Sequence, residues 1–181
     1  MQTRDIVLQR SLWLLLALGA GPALGADALD VGSSIPDKEA VGQGLFPEEK
    51  CEQLKAAGYT CQGFKPAVRY SLPATSFKIG SAELPDLLKK QLEVFAEVLK
   101  ARRGSGKVVQ IEGHADASGS VEFNNVLSLR RAEAVKDYLV TLGADPTMLA
   151  TAGAGASELK NAGNPLAAEN RRVEIGRQTP P

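Results

Sequence analysis

Apolar residues change their spacing several times along this chain, and each change marks an element. Leu88, Leu92, Phe95 and Leu99 recur at intervals of four, three and four residues, with Lys89, Lys90, Glu93 and Glu97 between them. That is the pattern of a helix with one apolar stripe. Pro85, suited to a first helical position, predicts its start, and Arg102-Arg103-Gly104-Ser105-Gly106 predicts its end. Val108, Val109 and Ile111 then make a β-branched run closing at Glu112-Gly113, which predicts a central strand. His114 to Asn124 reads as a polar loop around Gly119. It feeds a second long helix whose apolar face holds Leu127, Ala134, Val135, Tyr138, Leu139 and Leu142, stopped by Gly143.

Ahead of these elements, Val68-Arg69-Tyr70 and Thr75-Ser76-Phe77-Lys78-Ile79 alternate as one or two strands do, broken by Pro73 and ended by Gly80-Ser81. Beyond the second helix, Leu149-Ala150-Thr151-Ala152 predicts a short strand, Gly153 to Asn164 a loop, and Val173-Glu174-Ile175 a final strand. The order is β-α-β-α-β-β. Strands joined by helical crossovers run parallel, while the last can return beside a neighbour. The expected class is therefore α+β, a two-layer sandwich in which both helices pack on one face of a mixed sheet. Residues 26–66 are rich in Gly, Pro, Ser and charge, with periodicity only at Pro47 to Ala57. They read as an irregular leader, followed by a domain over 67–181.

The N-terminus changes the picture. Arg4 and Arg10 precede an apolar run from Leu12 to Ala20, then Gly21, Pro22 and the small-residue stretch Ala23-Leu24-Gly25. This predicts a secretory signal peptide over residues 1–25, cleaved before Ala26. The competing reading is an uncleaved anchor, but a span takes about 20 apolar residues and Gly19, Gly21 and Pro22 interrupt this run. After cleavage no transmembrane segment is expected, and the destination is the periplasm, peripherally associated with the outer membrane or wall.

In that oxidising compartment Cys51 and Cys61, the only two cysteines, are expected to form a disulfide, the alternative being two buried thiols. The whole chain carries 21 basic and 21 acidic side chains, and losing Arg4, Arg10 and Asp5 with the signal leaves the balance one charge negative. A near-neutral chain with few basic clusters is not built to hold nucleic acid. His114 is the only histidine, so no usual zinc or non-haem iron site is expected, and it is assigned no chemistry. No cofactor is expected.

The most informative stretch runs from Gly113 to Ala132: Gly-His-Ala-Asp, then Gly119, Asn124, Leu127-Ser128 and Arg130-Arg131-Ala132, with Asn170-Arg171-Arg172-Val173-Glu174-Ile175 downstream. Over about residues 68 to 177 the chain resembles the OmpA-like peptidoglycan-binding domain family. The resemblance implies that Asp116 and Arg131 grip the diaminopimelate of the peptidoglycan peptide stem, with Asn124 and Leu127 lining the pocket and Arg171 a weaker cap on it. The chemistry stands beside the resemblance: diaminopimelate presents an ammonium and a carboxylate on one carbon. Asp116 can accept from the ammonium and Arg131 can fork onto the carboxylate. In the empty site the two are expected to pair with each other.

Each residue also has a plainer reading. Asp116 could cap a turn, Asn124 the helix, Leu127 could be core, Arg131 a solvated helix arginine, and Arg171 a partner of Glu174 or Glu169. The family pattern is not matched throughout: Phe77 precedes Lys78 rather than an acidic residue, Gly80 replaces a polar side chain, and Leu159 stands where proline is common. Three functions are open to such a chain. The first is a non-catalytic binder linking the wall to the envelope. The second is a docking subunit of an envelope machine (motor, secretion or pilus system) with little wall binding, using residues 26–66 to meet an envelope protein partner. The third, an enzyme, lacks a nucleophile with a base: Ser118 and Ser120 carry no nucleophile-elbow glycines.

Overall fold

The computed structural model describes residues 28–61, 63, 66–72 and 77–178. The signal peptide expected over residues 1–25 lies outside them. Among the described residues no helix is long and apolar enough to cross a membrane.

The alternating and β-branched runs build one five-stranded mixed sheet. Its strands are β1 (Leu29–Asp30), β2 (Tyr70–Leu72), β3 (Val109–Gly113), β4 (Leu149–Gly153) and β5 (Val173–Arg177), in the spatial order β1-β2-β5-β3-β4. The last strand returns to the middle. It runs antiparallel to both β2 and β3, while β3 and β4, joined by a helical crossover, are parallel. From β2 onward the order is the expected β-α-β-α-β-β.

The helices follow their stripes. Helix α3 (Asp86–Lys100) buries Leu88, Leu92, Phe95 and Leu99, with Pro85 at its cap position rather than inside it. Helix α4 (Val121–Thr141) starts inside the stretch expected to be loop, because the Ser120 hydroxyl accepts from the Phe123 amide at 3.2 Å and caps it. The apolar faces of the two helices join Val109, Ile111, Val173 and Ile175 of the sheet in a single core. The expected strand through Thr75–Ile79 is not found at Phe77–Ile79, which form bends and turns, and residues 73–76 lie outside the described ones.

The leader differs most from expectation. It contributes β1, helix α1 (Lys38–Leu45) and helix α2 (Pro47–Ala56), and it shares the core through Val41, Leu45 and Phe46. Asp37 caps α1 by accepting from the Ala40 amide at 2.8 Å, and Pro47 opens α2. Two glycines make α1 look irregular in sequence, yet tight packing explains both. A side chain at Gly44 would lie 2.0 Å from the Tyr70 hydroxyl oxygen, and one at Gly42 would lie 3.1 Å from the Arg102 guanidinium. Tyr70 donates to the Ala40 carbonyl at 3.0 Å, and the buried Gln91 amide donates to Gly32 and Ser34.

Phe46 is the leader's main anchor. Its ring is 1% exposed and faces the guanidinium carbons of Arg102 at 4.7 Å and Arg177 at 5.2 Å, with Lys107 at 5.9 Å. Glu48 and Glu49 balance these cations from the first turn of α2: Glu49 takes both prongs of Arg102, and Glu48 pairs with Lys107 and Arg177. A bond between Cys51 and Cys61 closes the far end of α2.

If the leader is part of the folded unit, Phe46→Ala should lower the unfolding free energy by about 3 kcal/mol in urea melts, as buried Phe truncations do. Leu54→Ala, at an exposed position of α2, should change it by less than about 1 kcal/mol. Equal and small losses would mean that the leader lies outside the core.

Candidate functional site

The site sits where β3 runs out. Gly113 and Gly153 face each other in the β3–β4 register, and α4 lies directly across both. A side chain at Gly113 would fall 1.9 Å from the Ser128 carbonyl oxygen, and one at Gly153 2.6 Å from the Leu129 amide. Only glycine lets the helix backbone come this close. Beyond Gly113 the chain is pinned on both sides: the His114 amide donates to Arg172, Ala115 to Gly155 and Ala117 to Pro165.

Asp116 therefore projects from a fixed loop and is 5% exposed. One carboxylate oxygen accepts from the Ser118 amide at 3.0 Å and from the Ser118 hydroxyl, and the other accepts from Arg171 at 2.7 Å. Burial works to raise its pKa, but the hydrogen bonds from Ser118 and Arg171 outweigh it and hold the carboxyl below its ordinary range.

Arg131 lies four residues beyond Leu127 on the inner face of α4 and is completely buried. Its guanidinium is held by backbone carbonyls: Nε donates to Ser81 at 3.0 Å, Nη2 to Lys78 at 3.3 Å and Nη1 to His114 at 3.4 Å, with the Phe77 ring 4.8 Å away. Burial, and next the positive charge of Arg171, bring its pKa down to about 10, against the opposite pull of Asp116. This is a buried cation held mainly by long hydrogen bonds to neutral oxygens, an arrangement that favours the arrival of an anion.

The expected pairing of Asp116 with Arg131 is not what forms. Asp116 takes Arg171 instead, and Arg131 is covered by the Lys78–Ser81 segment. Neither Glu174 nor Glu169 takes Arg171. Asn124 is buried and its amide donates to the Asp116 carbonyl at 3.0 Å and the Gly119 carbonyl at 3.3 Å, so it clamps the loop from the helix. Leu127, 9% exposed, lies on the same inner face as Asn124 and Arg131.

Sequence reasoning missed the ionic network on the other side of the loop. Glu112 and Glu174 stand directly opposite each other on β3 and β5, a repulsive pair by itself. Arg69 bridges them, contacting Glu112 and holding Glu174 at 2.7 Å, and Arg172 adds a 2.6 Å bond to Glu174. The cross-strand register is what reveals it, and sequence alone does not contain that register. His114 is buried against this network with neither ring nitrogen hydrogen-bonded. Its desolvation, and then the charges of Arg172 and Arg69, push its pKa down to about 3. Glu112, His114 and Glu158 bring ligand atoms within 4.8 Å of one another, but Glu112 already pairs with Arg69 and the same arginines oppose a metal cation there.

Residues 76–172 match the sequence model of the OmpA family, and the chain belongs to that family. It is 39% identical over 101 residues to a peptidoglycan-associated lipoprotein of Pseudomonas aeruginosa, covering 55% of this chain and 58% of that relative. A peptidoglycan-associated lipoprotein of Legionella pneumophila is 31% identical over 149 residues, covering 81% of this chain and 80% of the relative. The chain thus spans a little under three fifths of the length of the Pseudomonas relatives. Among solved structures, the peptidoglycan-associated lipoprotein of Burkholderia pseudomallei superposes with a TM-score of 0.53 at 28% identity, over 57% of this chain and 87% of that one. The OmpA-like domain of FopA1 from Francisella tularensis gives 0.52 at 26% identity, over 62% and 75%.

The buried histidine carries a pH signature. Its folded pKa of about 3 lies below the unfolded value of 6.5, so the unfolded chain binds more protons between them. Its contribution is complete above pH 6.5 and is lost as pH falls toward 3. Unfolding free energy should drop by on the order of 1–2 kcal/mol between pH 7 and 5, ahead of the carboxylate window, and His114→Gln should flatten that part of the curve. An unchanged slope in the variant would place the titration elsewhere.

Proposed function

We propose that this chain is a non-catalytic binder of peptidoglycan in the bacterial periplasm, holding the diaminopimelate of the peptide stem and so linking the wall to the envelope. The observation that carries the reading is the pairing of opposites at one loop: a single ordered carboxylate, Asp116, beside a buried guanidinium, Arg131, that no acidic side chain among the described residues neutralises. A zwitterionic carbon fits both. Asp116 accepts from its ammonium, and Arg131 draws its carboxylate toward α4. Leu127 offers an apolar wall to the methylene chain, Asn124 keeps the aspartate loop in place, and Arg171 caps the pocket from the turn that precedes β5.

Binding without reaction suits these side chains. Ser118 gives its hydroxyl hydrogen to Asp116, and His114, the only histidine, is buried and held neutral. The base that faces the serine is Asp116, and with its carboxyl held below the ordinary range it is a weak one. Relatives named peptidoglycan-associated lipoprotein support the same reading.

The site is closed in this structure, with Arg131 under the Lys78–Ser81 segment, so ligand entry requires that segment to lift. Its outward side chains, Lys78 and Ile79, are strongly exposed and oppose no such movement through burial.

Co-sedimentation with diaminopimelate-type sacculi tests the proposal. Wild type should pellet with them, and Asp116→Asn should bind about tenfold more weakly, with some loss of stability from its broken pair with Arg171 but a native circular dichroism spectrum. Arg131→Ala should lose binding and stability together, since it opens a cavity among unsatisfied carbonyls. If wild-type protein stays in the supernatant, the wall-binding reading falls and the docking-subunit reading replaces it.

A further inference from the structure

The charges at the site do not balance, and the surplus points to a second role for Arg171. One carboxylate, Asp116, meets two guanidiniums, while His114 beside them is uncharged and Lys78 turns outward toward Glu83, 3.8 Å away. The two arginines are also committed to different degrees. Arg131 spends Nε, Nη1 and Nη2 on three carbonyls and is wholly buried. Arg171 makes one side-chain bond, through Nη1 to Asp116; its Nε is buried without any partner, and its side chain is 17% exposed. A guanidinium carries five N–H donors, so most of those on Arg171 are unspent.

Its backbone need not move for them to be used. The Arg171 amide is tied to Ala168 at the end of a short helical turn, and the next residue enters β5 with its own side chain turned to Glu174 and the Glu158 carbonyl. Only the Arg171 side chain has to rotate.

We propose that Arg171 is a specificity-determining residue that exchanges partners when the stem binds. The ligand ammonium takes its place on Asp116, and the released guanidinium takes the ligand carboxylate, together with Arg131. The consequence is selection for a stem whose diaminopimelate carboxylate is free over one in which it is amidated. A free zwitterion adds no net charge to a site that is already one charge positive. An amidated ligand brings a second positive charge and leaves Arg171 without an acceptor when its ion pair is broken. This rests on the wall-binding reading, and it adds the residue that reads the carboxylate and the chemical form that is preferred.

Calorimetry with two soluble muropeptides, identical tripeptide stems with the diaminopimelate carboxylate free or amidated, tests it on the wild-type chain and on Arg171→Ala and Arg171→Lys. Wild type should bind the free form about tenfold more tightly, a difference typical of one charge-assisted contact. In Arg171→Ala the ratio should fall well below that of wild type, the remainder being carried by Arg131, while measurable binding of the free stem persists and still requires Asp116. Arg171→Lys should keep part of the preference, since it keeps the charge but loses the fork. Circular dichroism of both variants should match wild type. A wild-type ratio near one, or a ratio preserved in Arg171→Ala, overturns the exchange while leaving wall binding intact. No binding of either stem by wild type overturns both.

Discussion

The site depends on how closely α4 can lie on the sheet. At Gly113 and Gly153 the helix backbone approaches to distances that any side chain would block, and the glycines stand side by side on β3 and β4. That contact sets the depth of the helix. It buries Arg131 at the end of β3 rather than leaving it in solvent, and it lets the Asn124 amide reach the loop that carries Asp116. The Ser128 hydroxyl, accepting from the Gly155 amide at 2.9 Å, stitches the loop after β4 to the same turn of helix. Closeness of backbones, more than any one polar contact, brings an anion and a buried cation to one place.

From this packing the electrostatics follow. The fold puts an arginine where water cannot solvate it and gives it backbone oxygens as acceptors, which stabilises a positive charge less well than a carboxylate does. The neighbouring carboxylate is occupied by a third residue, Arg171, from the turn that precedes β5. On the far side of the loop, the Arg69, Arg172, Glu112 and Glu174 network is closed on itself and its charges cancel. The two sides differ in kind: one is a finished internal structure, and the other retains a surplus of positive charge.

Much of the fold could be read in advance because its signals are local. The stripe of α3, the β-branched run of β3 and the alternation of β5 each fit within a few residues, and the order of elements from β2 onward matched expectation. In the leader the periodicity at Pro47 to Ala57 matches α2, but α1 is not legible, because it has only Val41 and Leu45 as its buried apolar pair and carries two glycines, whose reasons are the distant Tyr70 and Arg102. Asp116 and Arg131 were found as site candidates from their motif, but spacing on a helix says which face a residue shares and not which atom it bonds. The partner of Asp116 comes from 55 residues away, and the atoms covering Arg131 come from a segment 50 residues earlier. Such choices are settled by register and packing, which a linear pattern does not contain.

The most direct test of stem binding at Asp116 and Arg131 is a two-dimensional amide NMR titration of the chain with a soluble diaminopimelate tripeptide. Stem binding at this site should concentrate the shifts in residues 113–120, the Lys78–Ser81 segment, the Leu127–Arg131 turn of α4 and Arg171, with α2 and its disulfide unaffected. Shifts confined to α1 and α2, or no shifts at ligand concentrations that saturate sacculus binding, would contradict it.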